Sequence, residues 1–183
     1  MHQSNFIYYD LKPENILIAY FNGKPEIKLI DFGLAKHIYG LTEKNIFGTA
    51  EYMAPEILKR EAYDHRVDLY SFGMLLYRLV YNKFPFDQFT EIGIYKAHLE
   101  QGYEFPDSGY SDKIIYLIKK LLSKDPSDRY LNSIQILHDL DPALIKSISK
   151  NWAPANIFIN RVEANSILIN YLNDKTSSEL FAV

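Results

Sequence analysis

The stretch from Val67 to Val80 constrains this chain most. Val67, Leu69, Tyr70, Phe72, Met74, Leu75, Leu76, Leu79 and Val80 would cover every side of a helix. No run of about 18 apolar residues occurs anywhere, so no segment spans a membrane as a helix. A helix apolar all round then belongs at the centre of its domain, with other elements packed on several sides. The rest of the chain has to supply that shell.

The pattern provides one. Ile114, Ile115, Leu117, Ile118, Leu121 and Leu122 fall on one face of a helix over 111–124, with Ser111 placed to cap it, Lys119, Lys120 and Lys124 near its negative end, and Pro126 beyond it. Thr90 to Glu100 reads as a weaker helix interrupted by Gly93. Asn132 with Gln135 resembles a capping box for a helix running to about Leu140, and Asp141-Pro142 opens a further short one. Ahead of all these, Ile16-Leu17-Ile18 and Ile27-Lys28-Leu29-Ile30 flank the turn pair Asn22-Gly23 and predict a β-hairpin over 16–30. Residues 31–56 show no period and carry Gly33, Gly40 and Gly48, the signature of a long and therefore functional loop. The fold class expected is mainly α with a small β-hairpin.

Composition removes several classes of function. Hydrophobic residues make up 48%, with 15 Tyr and 11 Phe, which a disordered chain would lack. Twenty basic and 23 acidic residues give a net charge of −3 without a basic block, so nucleic acid is not the expected partner. The absence of cysteine rules out disulfides and thiolate chemistry and suits a cytoplasmic location. Met1-His2-Gln3-Ser4-Asn5 leads into no apolar stretch and is not a signal peptide.

Five motifs carry the chemistry. They are Asp10-Leu11-Lys12-Pro13-Glu14-Asn15, Asp31-Phe32-Gly33, Gly48-Thr49-Ala50-Glu51-Tyr52-Met53-Ala54-Pro55-Glu56, Asp68-Leu69-Tyr70-Ser71-Phe72-Gly73 and Asp125-Pro126-Ser127-Asp128-Arg129. Either of the first two alone would be an ordinary solvated loop. All five in this order, with a hairpin between the first two, resemble the eukaryotic-type serine/threonine protein kinases over roughly residues 2 to 140.

The resemblance implies a kinase C-terminal (large) lobe, the helical part of an α+β fold, acting on a protein substrate with ATP and magnesium. It implies that Asp10 orients or accepts the proton of the substrate hydroxyl and that Lys12 offsets charge on the phosphoryl group in flight. It assigns Asn15 and Asp31 to magnesium, a hard cation that prefers oxygen ligands, and Leu17 to packing against adenine. On the residues alone, an ordinary strand core residue is the preferred reading of Leu17. Glu14 sits where many kinases bind a basic residue of the substrate. Glu56 and Arg129 match a buried ion pair, and Asp68 matches a brace for the catalytic loop. Lys12 and Gly48-Thr49 resemble the serine/threonine rather than the tyrosine branch.

The chain also departs from the family. Where kinases usually have His-Arg-Asp it has Tyr8-Tyr9-Asp10, and a tyrosine cannot make the forked hydrogen bonds by which that arginine holds a phosphate on the activation segment. Asn45 falls at the usual phosphate-bearing position, leaving Tyr39 and Thr42 as the hydroxyl residues between Gly33 and Gly48. Tyr70 stands where the family usually has tryptophan. No Gly-x-Gly occurs, so the glycine-rich lid of a kinase N-terminal lobe is missing from these residues. The reading is therefore a kinase C-terminal lobe over 1–140, truncated at its N-terminus and inactive alone, with a helical extension of unknown role over 141–183 that carries Trp152. A pseudokinase-like interaction module is the alternative, and a secreted effector that borrows the fold is the third possibility.

Overall fold

A computed structural model describes residues 6–21, 24–37 and 46–141. The turn pair Asn22-Gly23, the segment with Tyr39, Thr42 and Asn45, the helix expected from Asp141-Pro142 and the extension with Trp152 lie outside the described residues. The chain divides into two compact units. One comprises residues up to Asn15 and from Asp31 to Ile136, and the other holds Ile16–Ile30 and the chain from Leu137 on.

The first unit is built around α2 (Arg66–Tyr81). Val67, Leu69, Tyr70, Met74, Leu75, Leu76 and Tyr77 are buried, so the all-round pattern buries the helix as expected over its first three turns. Phe72 and Val80 are only half-buried, and Leu79 is 43% exposed, one turn from the left-handed Asn82 (φ 51°) that ends the helix. Helix α4 (Asp112–Leu121) lays Ile114, Leu117, Ile118 and Leu121 into the core. Gly73 lets α2 and α4 approach closely, because a Cβ there would lie 2.8 Å from the Leu121 Cβ. Burying side chains of this kind stabilises by about 1.5–3 kcal/mol each.

Two short helices complete this unit. Helix α1 (Pro55–Lys59) starts on a proline, tolerated where the first N–H has no helical partner, and ends on the left-handed Arg60. Helix α3 (Glu91–Glu100) is continuous, which corrects the interruption expected at Gly93. Gly93 lies in the first turn, where its N–H donates to the capping Thr90 Oγ1 at 3.2 Å rather than to a carbonyl of the preceding turn. Ser111 occupies the cap position of α4 with extended backbone but makes no side-chain cap bond. Helix α5 (Ser133–Leu140) has the expected box in a shifted form: Gln135 N–H donates to Asn132 Oδ1, and Leu131 N–H donates to Gln135 Oε1.

The described residues of 31–56 are less irregular than the sequence suggests. Strand β4 (Lys36–His37) pairs antiparallel with β1 (Phe6–Ile7), and a 3-10 turn covers Ala50–Tyr52. Pairs of two residues are too short to leave a periodic signal.

The hairpin belongs to the second unit. Strands β2 (Ile16–Phe21) and β3 (Lys24–Leu29) pair from Ile16↔Leu29 to Phe21↔Lys24, longer than the apolar triplets alone indicate. Pro25 and the charged Glu26 hide the first half of β3 in the sequence; a proline is tolerated there because a two-stranded ladder has only edges.

Candidate active site

The loop 8–15 is held from below by α2. Asp68, buried in the first turn of that helix, accepts the N–H of Tyr8 at Oδ2 and of Tyr9 at Oδ1, both at 2.9 Å. Tyr9 adopts a left-handed backbone (φ 68°), uncommon for a bulky side chain, and the paired bonds from Asp68 stabilise it. Gly48, itself at φ 111°, passes so close that a Cβ would stand 2.7 Å from the Tyr9 carbonyl oxygen. That contact brings the loop end with Thr49 over the catalytic loop.

Three side chains then close a polar knot around Asp10. Asn15 Nδ2 donates to both the Asp10 carbonyl and its Oδ2, each at 2.8 Å. Lys12 Nζ lies 2.8 Å from the same Oδ2 and donates to Thr49 Oγ1 at 2.9 Å. Thr49 in turn donates its hydroxyl to Asp10 Oδ1 at 2.6 Å. Burial pushes the Asp10 carboxyl up, but the bonds from Lys12, Thr49 and Asn15 outweigh it and hold it below the usual carboxylate range. A carboxylate offers about four acceptor positions. Two on Oδ2 and one on Oδ1 are taken, so Asp10 keeps room for one further donor on Oδ1.

Asp31 does not enter this knot. Asp31 is exposed, has φ 55°, and accepts the Gly33 N–H at 3.1 Å, while the ring of Phe32 meets Tyr8 edge-on at 5.3 Å. Asn15 and Asp31 bracket the hairpin, whose register returns the chain at Leu29 opposite its start at Ile16. Leu17, on β2 opposite Lys28, is 50% exposed, which corrects its reading as a strand core residue. The donor set suits magnesium: Asn15 spends its amide nitrogen on Asp10, which leaves its Oδ1 as the free oxygen, and Asp31 presents an exposed carboxylate. Among the described residues no group of three His, Cys, Asp or Glu gathers as a rival cation site.

The expected ion pair is present and buried. Arg129 donates to Glu56 through both terminal nitrogens, at 2.7 and 2.8 Å. Sequence reasoning missed two features. Thr49 entered it only as a mark of family branch, since nothing in the sequence ties it to a residue 39 positions earlier. The position vacated by the family's arginine is filled by an aromatic cluster: Tyr9 is buried, meets Phe47 and Tyr63 edge-on, and donates its hydroxyl to the Tyr63 oxygen at 3.2 Å. Lys36 Nζ caps the Phe47 ring at 3.8 Å.

A family model for the protein kinase domain matches residues 1–139. The cGMP-dependent protein kinase of Plasmodium berghei is 38% identical over 142 residues, covering 76% of this chain and 16% of that protein. Aurora kinase C of Mus musculus is 37% identical over 139 residues, covering 74% of this chain and 48% of that one. The cAMP-dependent protein kinase type 3 of Saccharomyces cerevisiae is 38% identical over 132 residues, covering 72% and 32%. The chain thus spans less than half the length of these relatives. With its five motifs in order, its catalytic loop braced by Asp68 and its Glu56–Arg129 pair buried, the chain belongs to the protein kinase family.

Proposed function

We propose that these residues form the catalytic and substrate-facing part of a serine/threonine protein kinase, which transfers the γ-phosphoryl group of ATP to a protein hydroxyl. What supports the reading most is the knot around Asp10, which leaves one acceptor position on Oδ1 for an incoming hydroxyl. Asp10 stays charged at neutral pH, so it works by orienting that hydroxyl. The hydroxyl oxygen bonds to phosphorus, the bond from phosphorus to the ADP oxygen breaks, and the proton passes to Asp10 as the new bond forms. Lys12, fixed between Asp10 and Thr49, faces the negative charge of the group in transfer. Asn15 Oδ1 and Asp31 would hold magnesium, which when bound neutralises phosphate oxygens. Leu17 would pack on the adenine.

The 183 residues contain no Gly-x-Gly lid, so by themselves they cannot fix the γ-phosphate in line, and positioning is most of what phosphoryl transfer requires. The isolated chain is expected to show no turnover with radiolabelled ATP and a generic protein acceptor. Incorporation that vanishes in Asp31→Ala would show that the chain suffices alone.

A further inference from the structure

His98 is a buried polar side chain in the last turn of α3 that the proposed reaction does not use. Its Nε2 lies 2.9 Å from the carbonyl oxygen of Ala50. A carbonyl only accepts, so Nε2 carries the hydrogen and Nδ1 is the acceptor. Two hydroxyls serve Nδ1: Tyr70 on α2 at 2.9 Å and Tyr103 in the segment after α3 at 3.1 Å, themselves 2.7 Å apart. One tyrosine donates to Nδ1 and the other to its neighbour's oxygen, which satisfies all three groups. Lys124 closes the rim, donating to the carbonyls of Ala97 and His98 and covering the Tyr103 ring at 3.7 Å. Burial, with Lys124 nearby, pushes the imidazole down to about 3, so it keeps the neutral form this network requires.

Ala50 opens the 3-10 turn whose cap residue is Thr49. The turn is fixed at two carbonyls by side chains from outside it: Ser71 of α2 donates to Tyr52 O at 2.8 Å, and His98 of α3 donates to Ala50 O. Its internal bonds, Tyr52 N–H to Thr49 O and Met53 N–H to Ala50 O, share those anchors. Immediately before it, the Thr49 hydroxyl bridges Asp10 and Lys12.

We propose that His98 is a positioning residue for the phosphoryl-transfer site, holding the Ala50 carbonyl so that Thr49 stays seated on Asp10 and Lys12. The consequence for turnover rests on the kinase reading, whereas the geometric claim does not. Tyr70 then has a specific use at the position where kinases usually have tryptophan: its hydroxyl sets the acceptor side of His98, and so the donor side that reaches Ala50.

The test uses two near-isosteres on the full chain. His98→Gln keeps a donor at the Nε2 position, and His98→Asn offers polar atoms to the tyrosines but is too short to reach Ala50. Long-range proton–nitrogen correlation of the imidazoles, with His98 assigned by its loss in His98→Gln, should show the neutral Nε2–H tautomer at about pH 5.5, below the ordinary histidine range. Amide exchange at Tyr52 and Met53 should rise about tenfold in His98→Asn and stay within about twofold of wild type in His98→Gln, with α4 unchanged in both. An imidazole that titrates in the ordinary range, an Nδ1–H tautomer, exchange that rises equally throughout, or no rise in His98→Asn would each overturn the proposal. If His98→Asn fails to fold, the tautomer of the wild-type chain alone decides. In the natural full-length protein, His98→Asn should lower kcat about tenfold with KM for ATP unchanged. An Asp10→Asn control separates the two claims, because equal rates in wild type and that control refute the kinase reading and leave the exchange result standing.

Discussion

Removing Arg129 should cost more stability than any other single change at the site. Its side chain is fully buried and that of Glu56 is 3% exposed. All five of its N–H donors are used: two on Glu56, and one each on the carbonyls of Ser123, Arg66 and Lys124. Its guanidinium also lies over the Tyr70 ring at 4.8 Å. Arg129→Ala leaves the Glu56 carboxylate in the interior without its counter-charge and takes one donor from each of three carbonyls. Breaking a buried pair from one side costs about 3–5 kcal/mol, and water entering the vacated volume keeps the carbonyl losses from adding in full. That is a large share of the roughly 5–15 kcal/mol that holds a domain folded. Urea unfolding followed by tyrosine fluorescence gives the number, read as a shift in midpoint at constant slope. Arg129→Lys keeps the charge, loses the fork, and should fall between wild type and Arg129→Ala if the latter is too unstable to purify. A loss below about 1 kcal/mol, the value of an exposed pair, would refute the argument.

Other outcomes follow from the same geometry. Because the folded chain holds His98 down at about 3 while the unfolded chain titrates near 6.5, the unfolded state binds a proton that the folded state refuses in this interval. Stability should therefore be unaffected by this group above about pH 6.5 and fall as pH drops below it, by about 2 kcal/mol at pH 5. His98→Gln should flatten that limb, and an unchanged slope would contradict it. Gly73→Ala should destabilise by about 1–3 kcal/mol, measured by thermal melting, since its Cβ would press on Leu121 at 2.8 Å. In the full-length kinase, phosphatase treatment should leave the rate unchanged, because an aromatic cluster occupies the place of the phosphate-binding arginine and does not need a phosphate to form. A tenfold fall, about 1.4 kcal/mol, would show a phosphate-gated loop.

Much of this molecule was legible in its residues where order along the chain mirrors order in space. The apolar circumference of α2, the one-sided α4 and the hairpin are periodic, and period is what short-range sequence reading detects. Asp10, Lys12 and Asn15 lie in one short motif, so their nearness was legible, although the motif assigns them separate roles and not the bonds they make to one another. What closes the knot was not legible. Thr49 reaches Asp10 only because Gly48 permits a left-handed backbone against Tyr9, a contact that no local pattern encodes. In the sequence Tyr70 marks only a departure from the family's usual tryptophan; its hydroxyl matters because α3 and the segment after it bring His98 and Tyr103 to it. The two-residue pairing of β1 with β4 depends on tertiary geometry in the same way.

The most direct test of the central claim is transfer of radiolabelled phosphate from magnesium-ATP to a serine- or threonine-bearing protein. It should compare the natural full-length protein with its Asp10→Asn variant. The substitution preserves shape but removes the charge that orients the incoming hydroxyl, so the account predicts a rate lower by about 10²–10⁴, with a melting temperature displaced far less than in Arg129→Ala. Equal rates in the two proteins would contradict the assignment of Asp10, and with it the kinase reading of this site.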